Sequence, residues 1–294
     1  MAKTRELKRR IRSVESTRKI TRTMEMVSTS KLKRAQDRVV AARPYASALA
    51  GAISDLLSPE LAERYPLLRR PAPPAHGGPA AAAVLVITSN RGLAGAFNAN
   101  LVRAARERIG ELEAAGHTVL LYAVGKKGVK AFQLAKRAPA LARIDIGDQP
   151  TARHALELVE PLAAEFAAGR LASLDVVYAH FKSALSTPPA VLRVLPVDPG
   201  TAAAKGPVPN YILKPDADAI LASLLPLYVK NQVYRALVET AASEQGARRT
   251  AMKNATDNAT DILGLLTRTY NRARQAQITQ EIAEIVGGAA ALQG

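Results

Sequence analysis

Apolar residues in the first part of the chain recur at steps of three and four. Between residues 3 and 57 the only glycine is Gly51 and the only proline is Pro44. The apolar positions fall into three groups: Leu7, Ile11 and Val14; Ile20, Met24 and Val27; and Leu32, Ala35, Val39, Ala42, Ala46, Leu49, Ile53 and Leu56. Such spacing forms the seam of a helix that pairs with another helix, and the gaps between groups resemble stutters. We predict one helix over residues 1–58, about 80 Å long and bent at its proline.

The C-terminal part of the chain has a second seam of the same kind. This seam extends over residues 216–286, and we assign the whole of residues 214–294 to a C-terminal helix. The seam positions are Ile220, Leu224, Leu227, Tyr234, Val238, Ala241, Met252, Ala255, Ala259, Ile262, Leu266, Thr269, Ala273 and Ala276. A long helix with one apolar seam is unstable alone in water, and pairing buries both seams. We therefore predict an antiparallel coiled coil of the two chain ends.

The middle of the chain has the pattern of an α/β domain. Residues 59–80 are rich in proline and glycine and predict a linker, and residues 81–213 alternate short apolar runs with amphipathic stretches. Predicted strands cover 81–89, 117–124, 143–146, 174–181 and 189–197, with one more at 211–213, and predicted helices cover 98–115, 126–137 and 152–168. Continuous apolar strands alternating with helices indicate a mostly parallel sheet covered on both faces, followed by antiparallel strands.

Composition narrows the class of protein. The 294 residues include 41 Lys and Arg against 25 Asp and Glu, and no cysteine, which excludes disulfides and thiolate chemistry. Residues 1–43 alone hold 14 basic against 4 acidic residues. The longest apolar run, 80–87, is far shorter than the roughly 20 residues of a membrane helix. We expect a soluble, cytosol-facing protein with an acidic partner or surface.

Candidate catalytic and ligand-binding motifs are weak. The turn TSNRGLAGAFN (88–98) joins a strand to a helix but has neither GxGxxG nor Gly-Lys-Ser/Thr, so we interpret Gly92 and Gly95 as turn residues with positive φ. Asp175, His180, Ser183 and Ser186 lie on one strand and its loop, without the elbow of a hydrolase. His76, His117 and His154 lack metal-ligand spacing. The sequence predicts no catalytic, cofactor or metal site.

Two segments remain open to more than one interpretation. The basic N-terminal helix suits nucleic acid, a membrane surface, an acidic protein surface or plain solvation, although Tyr45 is its only aromatic residue. From Ile282 to Gly294 only Glu284 is charged. That end is either a frayed tail or an apolar tip held in a sleeve made by partners.

Four stretches resemble the γ subunit of F-type ATP synthases, of the bacterial type. They are TMEMVSTSKLKRAQ (23–36), ITSNRGLAGAFN (87–98), ASEQGARRTAMKNATDNATDIL (242–263) and YNRARQAQITQEIAEIVGGAAAL (270–292). The resemblance extends from residue 3 to residue 292. It implies that the terminal helices form a central shaft inside a ring of three α and three β subunits. It also implies that a Rossmann-like foot domain meets the ε subunit and the membrane ring of c subunits.

The resemblance further implies a non-catalytic rotor that couples proton flow to ATP synthesis and hydrolysis on the β subunits. Such a subunit lies peripherally on the cytoplasmic face of the bacterial inner membrane and has no cofactor, nucleic acid or small-molecule substrate. The implied contacts with α and β are Met24, Lys31, Lys33, Arg34, Arg274, Gln275 and Thr279, and the implied upper apolar bearing holds Ile282, Ile285 and Val286. A basic coiled-coil protein that binds nucleic acid is the alternative hypothesis.

Overall fold

A computed structural model describes residues 2–56, 64–68, 81–198 and 216–292. The predicted strand at 211–213 and most of the predicted linker lie outside these residues. In chain order the elements are α1 (Ala2–Leu56), β1 (Ala81–Ile87), α2 (Phe97–Ala114), β2 (Thr118–Val124), α3 (Lys126–Leu134), β3 (Leu141–Arg143), α4 (Ala152–Ala167), β4 (Leu171–Ala179), β5 (Pro189–Leu195) and α5 (Ala217–Leu292). The fold is therefore α/β, with a long helix at each end, as the sequence predicts.

The chain divides into two compact units. One unit comprises Met1–Ser28 with Arg249–Gly294, and the other comprises Thr29–Arg248. We call them the helical unit and the sheet unit. Each long helix contributes one part of its length to each unit, and the prolines at positions 44 and 226 lie inside α1 and α5.

The sheet has the strand order β3-β2-β1-β4-β5. β1 pairs in parallel with β2 and β4, β3 pairs in parallel with β2, and β5 is antiparallel to β4. This confirms the prediction of a mostly parallel sheet with an antiparallel addition. The order of the four parallel strands is Rossmann-like. β1 is buried along almost its whole length, which explains its unbroken apolar sequence.

The third strand differs from the prediction. We predict it at 143–146, but it occupies 141–143, paired with Tyr122–Val124. The carbonyl oxygens of Ile144 and Ile146 instead accept hydrogen bonds of 3.0 and 2.9 Å from the Asn90 side chain. The side chain of Asn90 therefore replaces the neighbouring strand as the partner of this backbone.

Both faces of the sheet are covered within the sheet unit. On one face, Leu101, Ala105 and Ile109 of α2 pack against alternate residues of β1. On the other face, α4 packs together with the C-terminal part of α1 and the N-terminal part of α5. Leu49 and Ile53 belong to this second cluster. The inner parts of the two long helices are therefore built into the core of the α/β fold.

In the helical unit, α1 and α5 pair in opposite directions. Thr4 Oγ1 lies 3.0 Å from Gln277 Oε1, and the hydroxyl oxygens of Thr21 and Thr256 lie 2.8 Å apart. Residue numbers thus rise along one helix as they fall along the other. The predicted antiparallel pairing is present in this unit.

The predicted seam is wrong in the middle of α1. Ile20 and Val27 are 59% and 50% exposed, whereas Thr21 and Ser28 are buried. The spacing set by Val14 continues unbroken through 18, 21, 25 and 28 to Leu32, without a stutter. A helix keeps its geometric register even where the seam positions are polar. On α5, likewise, Ile262 is 47% exposed and the neighbouring Leu263 lies partly buried instead.

A glycine after β2 provides a test of this fold. Gly125 has φ +93°, and a Cβ atom there would collide with the carbonyl group of Thr88. We expect Gly125→Ala to lower the free energy of unfolding by roughly 2–4 kcal/mol, because positive φ and the close contact both oppose a side chain.

Gly110→Ala is the matched control, because no atom lies within 4 Å of the added Cβ in the helical position of α2. It should raise stability by about 0.5–1 kcal/mol. Urea unfolding of the two variants measures both changes. Equal stability of the two variants would contradict the described turn.

Candidate functional site

One segment of α5 is buried on every side. All residues from Ala236 to Gly246 are buried, although a helix on a surface normally exposes one face. The buried polar residues in and beside this segment are Glu239, Thr240, Ser243, Glu244, Gln245 and Arg248. Each such group costs free energy unless it has a hydrogen-bond partner. We call residues 236–248 the buried segment.

The buried segment binds the end of β4. Thr240 Oγ1 accepts a hydrogen bond from the Ala179 amide at 3.3 Å, and the Ser243 hydroxyl donates to the Ala179 carbonyl at 3.1 Å. Glu239 Oε2 accepts from the Phe181 amide at 3.2 Å. Side chains of a helix thus replace the strand partners that the backbone would otherwise need.

Glu239 is the centre of a charged cluster. Its side chain is 1% exposed, and its oxygens lie 2.6 Å from His180 Nδ1 and 2.7 Å from Arg235 Nε. A carboxylate so deeply buried is stable only with several donors. Because His180 binds Glu239 while Asp175 pairs with Arg108 and Arg193, the structure does not assemble the hydrolase arrangement considered above.

Arg248 joins the buried segment to the turn after β1. Its guanidinium lies 2.6 Å from Glu244 Oε1 and donates to the Gly92 carbonyl at 3.2 Å. Burial raises the pKa of Glu244, and Arg248 opposes that rise. Positive φ occurs at Leu93 and Gly95, so the expectation is confirmed for Gly95 and wrong for Gly92.

Polar side chains of the turn after β1 already form hydrogen bonds within the chain. Asn98 Oδ1 accepts from the Ser89 amide at 3.0 Å, and Asn90 Oδ1 accepts from the Lys126 amide at 2.9 Å. In open parallel sheets, ligands bind outside the carboxyl ends of the strands, where the strand order reverses. Here α5 covers that position, because Thr240 and Ser243 bind the end of β4 and Arg248 binds the turn after β1. Other residues of α5 line the neighbouring pocket at the ends of β1 and β2. The arrangement can fix a helix to a sheet.

The basic residues implied as partner contacts on α1 have different surroundings. Lys31 Nζ lies 2.6 Å from Asp148 Oδ2, and Lys33 Nζ lies 2.8 Å from Asp37 Oδ1. Arg34 is exposed, and within the described part of the chain its one hydrogen-bond partner is the Ser30 hydroxyl at 3.5 Å. We call Lys31, Lys33 and Arg34 the collar. Two of its three charges therefore already have an acidic partner within the chain.

The other implied contact residues belong to the helical unit. Met24 is half-buried, whereas Arg274, Gln275 and Thr279 are exposed. The implied bearing residues are also exposed, with 56% of Ile282, 71% of Ile285 and 62% of Val286 accessible. Together with Ile278 they lie at helical spacing on one stripe of α5.

For two groups of residues, the sequence did not predict whether the side chains are buried or exposed. The buried segment contains polar residues that resemble a solvated helix face, and only the lack of a repeating apolar stripe could have signalled its burial. Apolar side chains exposed in the helical unit are the second group: Ile20, Met26, Val27, Ile262 and Leu265. Continuing the register from Val14 to Leu32 would have placed the first three outside the seam.

Comparisons with known proteins agree on one family. The sequence model of a family described as "ATP synthase" matches residues 3–292. An ATP synthase gamma chain from Gemmatimonas aurantiaca is 63% identical, with all of both chains covered. Those from Moorella thermoacetica and Leptospira biflexa are 44% and 43% identical, covering 100% and 99% of this chain and 100% of each relative.

The chain belongs to the ATP synthase gamma chain family. Membership makes it a subunit of a membrane-bound complex, and the alternative of a nucleic-acid-binding coiled coil is not supported. Within the described residues, no helix combines the length and apolar character needed to cross a membrane.

Solved structures of ATP synthases contain chains with the same fold. A chain in the rotor of the Euglena gracilis mitochondrial ATP synthase aligns with TM-score 0.65 and 20% identity, covering 94% of this chain and 99% of that one. A chain from the OSCP/F1/c-ring structure of the same enzyme aligns with TM-score 0.67 and 21% identity, covering 99% and 95%. The likeness therefore extends over the long helices as well as the α/β domain.

The pair Glu244–Arg248 provides a pH-dependent test of the buried segment. Arg248→Met should lower the free energy of unfolding by about 3–5 kcal/mol at pH 8, because a buried carboxylate loses its partner. Loss of Arg248 raises the pKa of Glu244 further above its unfolded value. The penalty is therefore absent when both states are protonated and grows as pH rises, so the loss should be smaller at pH 5 than at pH 8.

Adding Glu244→Gln should restore part of the stability and abolish this pH dependence. Arg153→Met is the control, because Arg153 forms an exposed pair with Glu157 at the same spacing and should cost less than about 1 kcal/mol. Urea unfolding at the two pH values measures the differences. A loss from Arg248→Met that is equal at both pH values would show that the carboxylate is not the source.

Proposed function

We propose that the chain is the central rotor shaft of an F-type ATP synthase. In this role it couples transmembrane proton flow to ATP synthesis and hydrolysis on the β subunits by rotation, and it has no catalytic site of its own. One observation carries the proposal. The same helix, α5, is buried on all sides over 236–246 and presents an exposed apolar stripe at 278–286.

The buried segment supports the transmission of torque. Hydrogen bonds to Ala179, Phe181 and Gly92 attach one helix to two strand ends of the sheet. Each bond is worth about 1 kcal/mol, or more where a charge takes part, and all must break before the helix can turn against the sheet. A sheet domain joined in this way turns with its helix.

The exposed stripe supports a bearing at the far end of α5. Ile282, Ile285 and Val286 would turn inside an apolar sleeve formed by the ring of three α and three β subunits. Hydrophobic contact has no preferred direction, so a rotating surface breaks few directed bonds at each angle. Water-exposed isoleucines on one stripe are otherwise an unfavourable surface for a protein.

The remaining partners follow from the same role. The α/β domain would meet the ε subunit and the ring of c subunits at the membrane. The chain would then lie peripherally on the cytoplasmic face of the bacterial inner membrane. The turn after β1 lacks a phosphate loop, and α5 covers the crevice where a nucleotide would otherwise bind, so the chain would take no nucleotide there.

Arg274 and Gln275 give a direct test of the shaft. Both are exposed on α5, where they would hydrogen-bond to loops of α and β, with Thr279 close by, at some rotation angles only. We expect Arg274→Ala with Gln275→Ala to slow ATP turnover of the assembled complex at least several-fold without weakening its assembly. Steady-state hydrolysis and size-exclusion chromatography measure the two quantities.

The matched control is Arg106→Ala with Gln133→Ala, which removes the same groups from exposed positions of the α/β domain. The chain on its own should hydrolyse no ATP. Normal turnover in a fully assembled Arg274/Gln275 variant would remove these residues from the contact surface. Hydrolysis by the purified chain alone would overturn the non-catalytic role.

The collar should act on an acidic surface of β, near the position of Met24. Since Lys31 and Lys33 have acidic partners in the chain, Arg34 contributes the largest uncompensated positive charge of the collar. Changing Lys31, Lys33 and Arg34 to Gln keeps the helix, because Gln is a comparable helix former. We expect fewer protons pumped per ATP hydrolysed, with the deficit greatest at low salt, where charges act over the longest range.

Proton pumping by membrane vesicles across a salt series provides the measurement. The control changes Lys126, Lys127 and Lys130 to Gln, which removes three exposed charges from α3. A ratio of protons to ATP that stays normal at every salt concentration would make the collar a solvated helix face.

A further inference from the structure

Three of the seven residues that line a small cavity of the sheet unit are basic. Its volume is about 100 Å³, and its lining includes Lys31, Arg34 and Arg38 of α1 together with Asp148 and Gln245. The carboxylate of Asp148 is taken by Lys31 at 2.6 Å. Among the described residues, neither arginine forms a salt bridge, so the lining keeps a net charge of +2.

Gln245, one of the lining residues, has an unused donor beside this cavity. The residue is 2% exposed, and within the described residues its Nε2 is a buried side-chain nitrogen without a hydrogen-bond partner. Buried amide groups in folded proteins are nearly always hydrogen-bonded, since an unmade bond costs free energy. The neighbouring Glu244 and Arg248 satisfy each other and do not supply a partner. A ligand with acceptor oxygens would complete this amide.

We infer that the cavity is a binding site for a tetrahedral oxyanion of the phosphate class. Lys31, Arg34 and Arg38 supply charge, and Gln245 supplies a directed hydrogen bond from the cavity wall. This site is separate from the buried segment's contacts with β4 and does not depend on the rotor function. An arginine side chain offers several donors in a fixed plane, which suits an oxyanion.

Size and charge select this class of ligand. The cavity has room for about three waters, at some 30 Å³ each, and therefore holds a five-atom oxyanion. Pockets for nucleotides and other drug-sized ligands are larger, about 300–1,000 Å³. Water alone would satisfy Gln245 but would not offset the net charge of +2 in the lining. A doubly charged phosphate matches both features of the cavity.

Phosphate binding to the full-length chain tests the inference. Calorimetry with inorganic phosphate at constant ionic strength should show saturable binding of one ion per chain. Arg38→Gln should weaken binding at least ten-fold, whereas Arg43→Gln, an exposed position on the same helix outside the cavity, should change it less than two-fold. Gln245→Leu should weaken binding several-fold.

Thermal unfolding gives a second measurement. The shift in melting temperature caused by phosphate can be compared between variants even when their stability without phosphate differs. Phosphate should raise the melting temperature of the wild type and of Arg43→Gln, because a ligand stabilises the state that binds it. It should have little effect on Arg38→Gln and Gln245→Leu. Each variant serves as its own reference without phosphate.

Three results would overturn the inference. One is the absence of saturable phosphate binding by the folded chain. Another is an equal loss in Arg38→Gln and Arg43→Gln, which would indicate general attraction to a basic surface. The third is binding of acetate as strong as that of phosphate, which would assign the cavity to a carboxylate of a partner protein.

Discussion

Burial of a polar stretch of helix against the ends of parallel strands constrains the rest of this molecule. The stretch contains Glu239, Thr240, Ser243 and Glu244, which cannot leave water without partners. At the end of β4 and in the turn after β1, buried backbone amides and carbonyls likewise need hydrogen-bond partners. Glu239, Thr240 and Ser243 satisfy the backbone of the sheet and are satisfied by it, so the polar groups of both can be buried only together.

This arrangement also explains what the sheet does not do. In doubly wound sheets the crevice at the carboxyl ends of the strands usually receives a cofactor. Here α5 covers that crevice, and Asn90, Asn98 and Arg248 use the polar groups of the turn. The carboxyl ends of this Rossmann-like sheet therefore bind a long helix in place of a cofactor. The proposed mechanical role and the proposed lack of catalysis have this single structural cause.

Local patterns in the sequence were enough to predict much of the fold. Unbroken apolar runs mark the strands because both faces of the sheet are covered, and steps of three and four mark the long helices. The seam through Thr21 and Ser28 was missed because a polar residue gives no apolar signal. The apolar residues Ile20 and Val27 were placed in the predicted seam instead, although strict helical register puts them on the outside of the helix.

The candidate site depends on contacts that no local pattern contains. Lys31 and Asp148 are 117 positions apart, and Arg248 and Gly92 are 156 apart. A basic residue on a helix has the same local pattern whether its partner is water, an acid of the same chain or another protein. The collar could therefore be located from sequence, but the neutralisation of Lys31 and the unpaired amide of Gln245 could not.

Hydrogen exchange of residues 236–248 in the full-length chain tests the central claim most directly. If the buried segment is fixed to the sheet, its amides should exchange as slowly as those of β1, because both open only when the sheet unit unfolds. The exposed end of α5, at 270–289, should exchange orders of magnitude faster. Exchange of the buried segment at the rate of that exposed end would contradict the account.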